Sequence, residues 1–354
     1  MDLHVAPAER DWETTAAVDT LRVAVVGLGR FARRRALPAV AESDHCTATA
    51  VVSGDREKAA AVAGEHGVAN VLDYDAYADG ERAAAYDAAY VCTPNALHPE
   101  HVAPAARADA AVLCEKPLAA TVDGAEAVTQ ACREAGVLLM TAYRMQTDPL
   151  VRRMRGLVRE GAIGDPVKLH GEFSIDVLAA AGPDQWRLDA DLAGGGALVD
   201  VGIYPLNTAR FLLDADPVAV SGTVASPGDP FDEVETHVAG WARFEGPQSP
   251  TLSLTASYRA HLEDTLQVLG TDGQLRLENA FGTDATRRLT VEAGAETATY
   301  EAPTPNELVE EFDYLAHAAS TGAAVEPDGA DGLTDVVAMQ ALYESADTGA
   351  VVSL

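Results

Sequence analysis

Lysine is nearly absent from this 354-residue chain. Lys58, Lys116 and Lys168 are three of its 25 basic residues, which stand against 55 acidic residues and leave a formal net charge of −30. Such a charge disfavours binding to phosphate backbones and anionic membranes, so we expect no nucleic-acid partner. A surface rich in carboxylates suits concentrated salt, where charges are screened over about 3 Å at 1 M. The composition therefore predicts a salt-adapted protein of a high-salt cytosol.

Metal-binding cysteine patterns and long apolar runs are also missing. The four cysteines show neither CxxC spacing nor another ligand pattern, so we expect no metal and small core cysteines in a reducing compartment. The first twenty residues lack the apolar segment of an export signal. About eighteen consecutive apolar residues, enough to span a membrane, occur nowhere. We therefore expect a cytoplasmic protein with no membrane partner.

The length and the 48% hydrophobic composition predict two domains. From Leu21 strand and helix patterns alternate, which predicts a doubly wound parallel α/β sheet, the Rossmann fold. After Arg144 strand patterns follow one another, which predicts an α+β domain with a large, mainly antiparallel open sheet. We expect an extension over residues 1–20, a cofactor domain over 21–143, a substrate and oligomerisation domain over 144–330, and a C-terminal helix and tail over 331–354 that packs back on the first domain.

A glycine turn stands where the first predicted strand meets the first helix, in the pattern Gly27-x-Gly29-x-x-Ala32. Glycines let the backbone approach a pyrophosphate, and the helix N-terminus stabilises its negative charge. The string alone is weak evidence, but its place in a βαβ series predicts a dinucleotide site that includes Gly27, Gly29, Arg30 and Phe31. A simple tight turn would explain the glycines but not the surrounding sheet pattern.

The end of the second predicted strand carries Ser53, where a site for NAD usually has an acidic residue. The run from Ser53 to Lys58 offers a hydroxyl group and two cations, which suit a 2′-phosphate. It therefore predicts NADP in preference to NAD, bound by Ser53, Gly54, Arg56 and Lys58. Two alternatives stay open: the cations only cap or solvate a helix start, and Asp55 binds a ribose.

Two later strand ends should meet at the same edge of the sheet. Thr93 and Asn95 end one strand and His98 follows, and we expect them to line the nicotinamide side, although this segment is also typical of a simple helix entry. Glu115 and Lys116 end the next strand. Because the chain contains only three lysines, a chemical role for Lys116 is favoured over a structural one.

A glycine-rich run leads into Asp200, Tyr204 and Asn207, spaced i, i+4 and i+7. On a regular helix this spacing puts three polar groups on one face among apolar neighbours. Such a stripe is either a hydrogen-bonded part of the core or a site, because buried polar groups need partners. Pro205 indicates an irregular or early first turn of the helix, so the residues that share this face can differ by one or two positions from the regular spacing.

Six motifs in order resemble the Gfo/Idh/MocA oxidoreductase family over roughly residues 20 to 345: GLGRFA, SGDREK, TPNALH, CEKP, AYR and GGGALVDVGIYPLN. The resemblance is greatest to the branch with glucose-fructose oxidoreductase, dimeric dihydrodiol dehydrogenase and haloarchaeal NADP-dependent D-xylose 1-dehydrogenases. It implies NADP-dependent oxidation of an aldose at C1 to the lactone, with D-xylose preferred and glucose poorer. It also implies a homodimer or homotetramer formed through the second-domain sheet.

The resemblance also implies roles for single residues. Tyr204 would be the acid/base, assisted by Lys116, while Asp200 would bind a sugar hydroxyl or orient Lys116, and Asn207 would bind another hydroxyl. Further expected contacts are Glu115, Lys116 and Arg144 to the cofactor, and Lys116, Trp186 and Arg187 to the substrate, although Trp186 is equally compatible with a core position. The alternatives are a dihydrodiol or inositol dehydrogenase, a glucose-fructose oxidoreductase that retains its cofactor, and a non-catalytic NADP-binding redox sensor.

Overall fold

The computed structural model describes residues 20–283, 286–303 and 305–354, so the predicted extension lies outside it apart from Thr20. The chain divides into two compact units. The first contains residues 20–144 and Asn306–Leu333, and the second contains Met145–Pro305 and Thr334–Leu354. Within the described ranges, no helix is both long and apolar enough to cross a membrane.

The first unit is built on a six-stranded parallel sheet in the order β3-β2-β1-β4-β5-β6. This is the strand order of dinucleotide-binding folds, and it confirms the predicted Rossmann architecture. The strands are short runs of mostly buried residues, as expected for a sheet covered on both faces. They are β1 (Leu21–Val26), β2 (Cys46–Val52), β3 (Asn70–Leu72), β4 (Ala88–Val91), β5 (Ala111–Glu115) and β6 (Leu139–Ala142).

Helices connect these strands, and their ends follow local capping chemistry. The longest of the five begins after Thr121, whose hydroxyl accepts a hydrogen bond from Gly124 N, and ends at Gly136 in the left-handed region. A π turn over Ala32–Ala36 leads into the first helix. The helices are α1 (Leu37–Glu42), α2 (Arg56–His66), α3 (Tyr74–Ala78), α4 (His98–Arg107) and α5 (Val122–Ala135).

The second unit carries a nine-stranded sheet in the order β14-β13-β12-β11-β7-β10-β9-β8-β15. All its pairs are antiparallel except β7 with β10, so the mainly antiparallel sheet is confirmed as a mixed one. The strands are β7 (Pro166–Ser174), β8 (Pro217–Ala225), β9 (His237–Phe244), β10 (Thr251–Ser257), β11 (Glu263–Gly270), β12 (Gly273–Glu278), β13 (Thr286–Ala293), β14 (Glu296–Pro303) and β15 (Val352–Ser353).

Helices α7 and α10 of this unit pack against each other, and α10 also contacts β7. Gly171 of β7 makes room for the helix, since a Cβ atom there would lie 2.4 Å from Pro205 Cβ. The helices from residue 144 to the chain end are α6 (Arg144–Thr147), α7 (Pro149–Arg159), α8 (Val177–Ala181), α9 (Ala190–Ala193), α10 (Ile203–Leu213), α11 (Glu307–Thr321) and α12 (Gly329–Thr348).

The C-terminal part differs from the predicted domain limits. Helix α11, expected in the second domain, belongs to the first unit because Leu308, Phe312 and Leu315 complete the core of the parallel sheet. The last residues, expected on the first domain, belong to the second unit, where β15 pairs with β8. Which sheet such a C-terminal segment packs against is set by distant parts of the chain, so sequence order alone did not indicate it.

Candidate active site

The glycine turn after β1 has the geometry that a pyrophosphate requires. Gly27 has φ +95°, and a Cβ atom there would lie 2.7 Å from Cys92 O and 2.8 Å from Thr93 Cγ2 at the end of β4. At Gly29, in contrast, a Cβ atom would meet nothing within 4 Å. Arg30 and Phe31 follow at the exposed start of the helix. The first glycine thus permits close strand packing, and the second leaves open space beside a helix N-terminus, so the turn fits a dinucleotide.

The segment after β2 combines capping with accessible cations. Ser53 is buried, and its Oγ accepts a hydrogen bond from Asp55 N at 3.2 Å. Asp55 caps α2 by accepting from Lys58 N at 2.9 Å. Arg56 pairs with Asp73 at 3.2 Å in an exposed contact, and Lys58 is half-buried. The cap of α2 is therefore Asp55 and neither of the two cations, and the exposed pair of Arg56 is of the weak kind that a phosphate can replace.

His98 ties two strand ends together. It is fully buried, with Nε2 3.0 Å from Thr93 O and Nδ1 3.2 Å from Leu118 O. Burial lowers the pKa of His98 to about 4, so the ring is neutral and donates a hydrogen bond to only one of these two carbonyls, while its other nitrogen packs against the second. Thr93 and Asn95 are buried beside it at the same edge. His98 thus holds the segment after Lys116 against the end of β4.

Glu115 and Lys116 end β5 at this edge, as predicted from their place after a buried strand. Tyr90 Oη donates to Glu115 Oε1 at 2.5 Å, and burial raises the pKa of this carboxyl. Arg144, buried at the start of α6, forms an ion pair with Glu307 of α11. Glu311 lies in the same acidic group, and its pKa is raised well above the usual value by burial and by Glu115.

In the second unit a π turn over Leu198–Gly202 precedes α10. A π turn inserts an extra residue into the helical repeat, so the regular i, i+4, i+7 spacing does not describe this segment. Pro205 falls in the first turn of α10, where its missing N–H is tolerated. Asp200 and Asn207 accordingly have different hydrogen-bond partners, whereas the sequence had predicted that they share one polar face.

Tyr204 lies in an aromatic group. Its ring meets Phe173 of β7 edge-on at 5.3 Å between centroids and Phe281 at 5.9 Å, and these two phenylalanines are 5.4 Å apart. Edge-to-face packing of this kind is directional. Phe173 and Phe281 are buried, whereas Tyr204 is only half-buried. The aromatic group therefore holds the tyrosine ring in one orientation.

Asp200 is held by two side chains on the same oxygen. Arg187 Nε donates to Oδ2 at 3.0 Å, and Tyr258 Oη donates to Oδ2 at 3.2 Å. The Arg187 guanidinium also lies over the Trp186 ring, 4.6 Å from its centroid. The predicted residues Trp186, Arg187 and Asp200 thus form one contiguous group. Tyr258 was missed, because nothing in the sequence next to it points to Asp200.

Asn207 belongs to a buried network. Its Nδ2 donates to Asp335 Oδ2 at 2.7 Å, and its Oδ1 accepts from Gln146 Nε2 at 3.0 Å. Asp335, which is fully buried in α12, also accepts from Arg210 Nη1 at 2.8 Å. Asn207 thus makes these hydrogen bonds within the second unit, and the substrate contact expected for it stays a prediction.

The predicted residues thus fall into two groups. Lys116 and the expected cofactor contacts lie in the first unit, at the carboxyl edge of the parallel sheet and in the segments after it, while Trp186, Arg187, Asp200, Tyr204 and Asn207 lie in the second. Across the part of the chain that the structure describes, no group of three His, Cys, Asp or Glu side chains could hold a metal ion.

Comparison with known proteins finds two matching family models. Residues 21–143 match the oxidoreductase family with an NAD-binding Rossmann fold, Gfo/Idh/MocA, and residues 151–276 match the Gfo/Idh/MocA C-terminal domain. The chain is 44% identical to the D-xylose 1-dehydrogenase [NADP(+)] of Haloarcula marismortui over 98% of this chain and 96% of the relative. It is 32% identical to D-xylose 1-dehydrogenase (NADP(+)) 2 of Haloferax volcanii, over 93% of this chain and 98% of that relative.

Among solved structures, the chain resembles the aldose-aldose oxidoreductase of Caulobacter crescentus, which was crystallised with glycerol. The two share 33% identity and a TM-score of 0.88, and the similarity covers 95% of this chain and all of that one. The match extends over both units, each of which therefore has a counterpart in a solved oxidoreductase.

Proposed function

The chain belongs to the Gfo/Idh/MocA oxidoreductase family, and we propose that it oxidises an aldose at C1 to the aldonolactone with NADP as acceptor. D-xylose is the proposed substrate, with glucose poorer. The observation that carries the proposal is the 44% identity, over nearly the whole length, to a D-xylose 1-dehydrogenase that uses NADP(+). The open space at Gly29 supports use of a dinucleotide.

The chain's own residues would hold the cofactor through the glycine turn and the segment after β2. Gly27, Gly29 and the helix after them would bind the pyrophosphate, while Ser53 and Arg56 would bind the 2′-phosphate in preference to the hydroxyl of NAD. When bound, the nicotinamide supplies the acceptor for the hydride that leaves sugar C1.

Tyr204 is the proposed base that removes the proton from the anomeric hydroxyl. The pKa of a free tyrosine is about 10, and a cation stabilises the phenolate and so brings that pKa nearer to working pH. The family resemblance assigns this cation to Lys116. Asp200, whose Oδ2 is engaged by Arg187 and Tyr258, would accept a hydrogen bond from a second sugar hydroxyl.

The test is a panel of aldoses incubated with NADP in concentrated salt, with absorbance followed at the NADPH band. We expect the fastest rise with D-xylose. Tyr204→Phe should lower kcat by about 10²- to 10⁴-fold, the usual contribution of positioned proton transfer, while NADPH binding stays unchanged. Tyr300→Phe on β14 makes the same chemical change elsewhere in the unit and should keep turnover.

Other outcomes would identify the alternatives. An increase in NADPH absorbance only with a dihydrodiol or an inositol would show that such a compound, and not an aldose, is the substrate. Turnover of a sugar pair without exchange of added NADP would indicate that the enzyme retains its cofactor. No turnover with intact NADPH binding would contradict the enzymatic proposal and favour a redox sensor. Near-normal kcat in Tyr204→Phe would refute the assigned base.

We also propose that the protein works as a homodimer or homotetramer in a high-salt cytosol. The support for self-association is family analogy, and the support for salt adaptation is the net charge of −30 with only three lysines. Sedimentation analysis should show a mass at least twice 37.0 kDa. Full stability in dilute buffer would contradict the salt adaptation.

A further inference from the structure

The segment that carries Asp200 and Tyr204 begins against a glutamate from another part of the chain. Glu235 stands just before β9 and is buried. Its Oε2 accepts a hydrogen bond from Gly196 N at 2.9 Å, and its Oε1 accepts one from Leu198 N at 2.8 Å. Its backbone carbonyl accepts from the amide between them, that of Ala197, at 3.1 Å. One residue therefore satisfies three consecutive N–H groups at a helix start, where helical partners are lacking.

The glycine run before this helix is explained by the same contact. A Cβ atom on Gly196 would lie 2.0 Å from the backbone oxygen of Glu235. Gly195 has φ +150°, and a Cβ atom there would lie 2.1 Å from Tyr343 Oη. A larger residue at position 196 would push the chain away from Glu235, and one at position 195 would collide with Tyr343, which binds the same carboxylate. The glycines are therefore needed for the close approach of the helix start to this acid.

The Glu235 carboxylate is balanced by dipoles. Its third hydrogen bond comes from Tyr343 Oη at 3.0 Å, so all three side-chain bonds come from neutral donors. Amide groups at a helix start carry partial positive charge and stabilise an anion there. Burial raises the pKa of Glu235, while its bonds to Leu198 and Gly196 lower it. The arrangement holds a carboxylate at the helix start through its hydrogen bonds.

The contact is coupled directly to Asp200. Gly196, whose N–H binds Glu235, accepts a hydrogen bond at its own carbonyl from Asp200 N at 3.1 Å. We infer that Glu235 is a positioning residue, which places Asp200 and Tyr204 by anchoring the start of their helix. The inference rests on the proposed function for its catalytic consequence. Nothing in the arrangement requires Glu235 to touch the sugar or the cofactor.

The test compares Glu235→Gln with a matched control. The amide is isosteric, but it presents one acceptor and one NH₂ group where two backbone N–H groups need acceptors. Ser345→Ala is the control, because Ser345 is fully buried in the same unit and its hydroxyl binds Gly222 N, Ser221 Oγ and Ala350 O. Both variants lose buried hydrogen bonds, but only Glu235→Gln alters the helix start.

Glu235→Gln should lower kcat/KM for the sugar about tenfold, as for loss of one hydrogen bond to a charged group, with most of the loss in kcat. NADPH affinity should stay within about twofold, because the proposed cofactor contacts lie elsewhere in the chain. Hydrogen exchange in a peptide covering residues 194–204 should become faster. Ser345→Ala should lower thermal stability but leave kcat, KM and this exchange unchanged. If Glu235→Gln does not fold, Glu235→Asp replaces it, since its shorter side chain keeps the charge but cannot reach both amides.

Two results would overturn the inference: a kcat/KM equal to that of Ser345→Ala, or unchanged exchange over residues 194–204. A wild-type protein that oxidises no aldose would refute the proposed function alone. In that case the exchange measurement still decides whether Glu235 anchors the helix.

Discussion

Tyr258→Phe is the sharpest test of how the site holds Asp200. The change deletes one hydroxyl from a side chain that is 1% exposed and directly follows β10. That hydroxyl donates to Asp200 Oδ2 at 3.2 Å, and a second donor to this oxygen, Arg187, is about one-third exposed. Hydrogen bonds to charged groups contribute about 1.5–3 kcal/mol. Both donors make such a bond, and we expect loss of the Tyr258 hydroxyl to loosen Asp200 because this bond comes from a fully buried side chain.

The distance of 3.2 Å is long for a hydroxyl donor, so the lower value of about 1.5 kcal/mol applies. If Asp200 needs this orientation in the transition state, kcat/KM should fall by about tenfold, since about 1.4 kcal/mol corresponds to a factor of ten. The assay is steady-state oxidation of D-xylose with NADP at high salt, together with thermal unfolding of each variant.

Tyr77→Phe is the matched control for this prediction. Tyr77 is also 1% exposed, and its hydroxyl donates to His101 O at 3.0 Å in the first unit. It should lose stability by about 1 kcal/mol, the usual value for a neutral hydrogen bond, without changing sugar kinetics. Tyr258→Phe kinetics that match both wild type and Tyr77→Phe would refute the reasoning.

Two further predictions concern the first unit. Ser53→Asp should weaken NADPH binding by about tenfold or more and strengthen NADH binding, because a carboxylate repels a 2′-phosphate and accepts hydrogen bonds from ribose hydroxyls. Fluorescence titration measures both affinities. An unchanged ratio of NADPH to NADH affinity would refute the role proposed for Ser53. The second prediction concerns Glu311, whose pKa is raised well above the usual value by burial and by Glu115 and Glu307. When the pKa of a carboxyl is higher in the folded state than in the unfolded state, its protonated form stabilises the fold. This contribution to the free energy of unfolding is present below the unfolded-state pKa and is lost as the pH rises through the folded-state pKa. Glu311→Gln should therefore lose less thermal stability than wild type between about pH 5 and about pH 8, and parallel melting curves would contradict this sign.

Local patterns predicted most of the elements well. Helix α5, Val122–Ala135, is bounded by local signals, because its capping threonine and terminal glycine are adjacent to it in sequence. Strand β3 has only three residues and was missed, since so short a run has no measurable alternation. The hairpin between β11 and β12 turns at Thr271 and Asp272.

The candidate site was predictable where the chemistry is local. The glycine turn, Ser53 and Lys116 each follow a strand, and the carboxyl ends of parallel strands meet at one edge, so their placement follows from topology. The face of the Asp200 helix was not predictable, because a π turn shows no distinctive residue pattern and changes the register of the residues after it.

The sequence by itself determined the parallel α/β domain, the dinucleotide turn and the family, because each is encoded by residues close together in the chain. Only the tertiary structure decided what holds the proposed catalytic residues. Tyr258 lies 58 residues from Asp200, and Glu235 lies 37 residues from the amide of Leu198 that it caps. A hydrogen bond depends on distance and angle in space, and no spacing in the sequence specifies which distant strand delivers its partner.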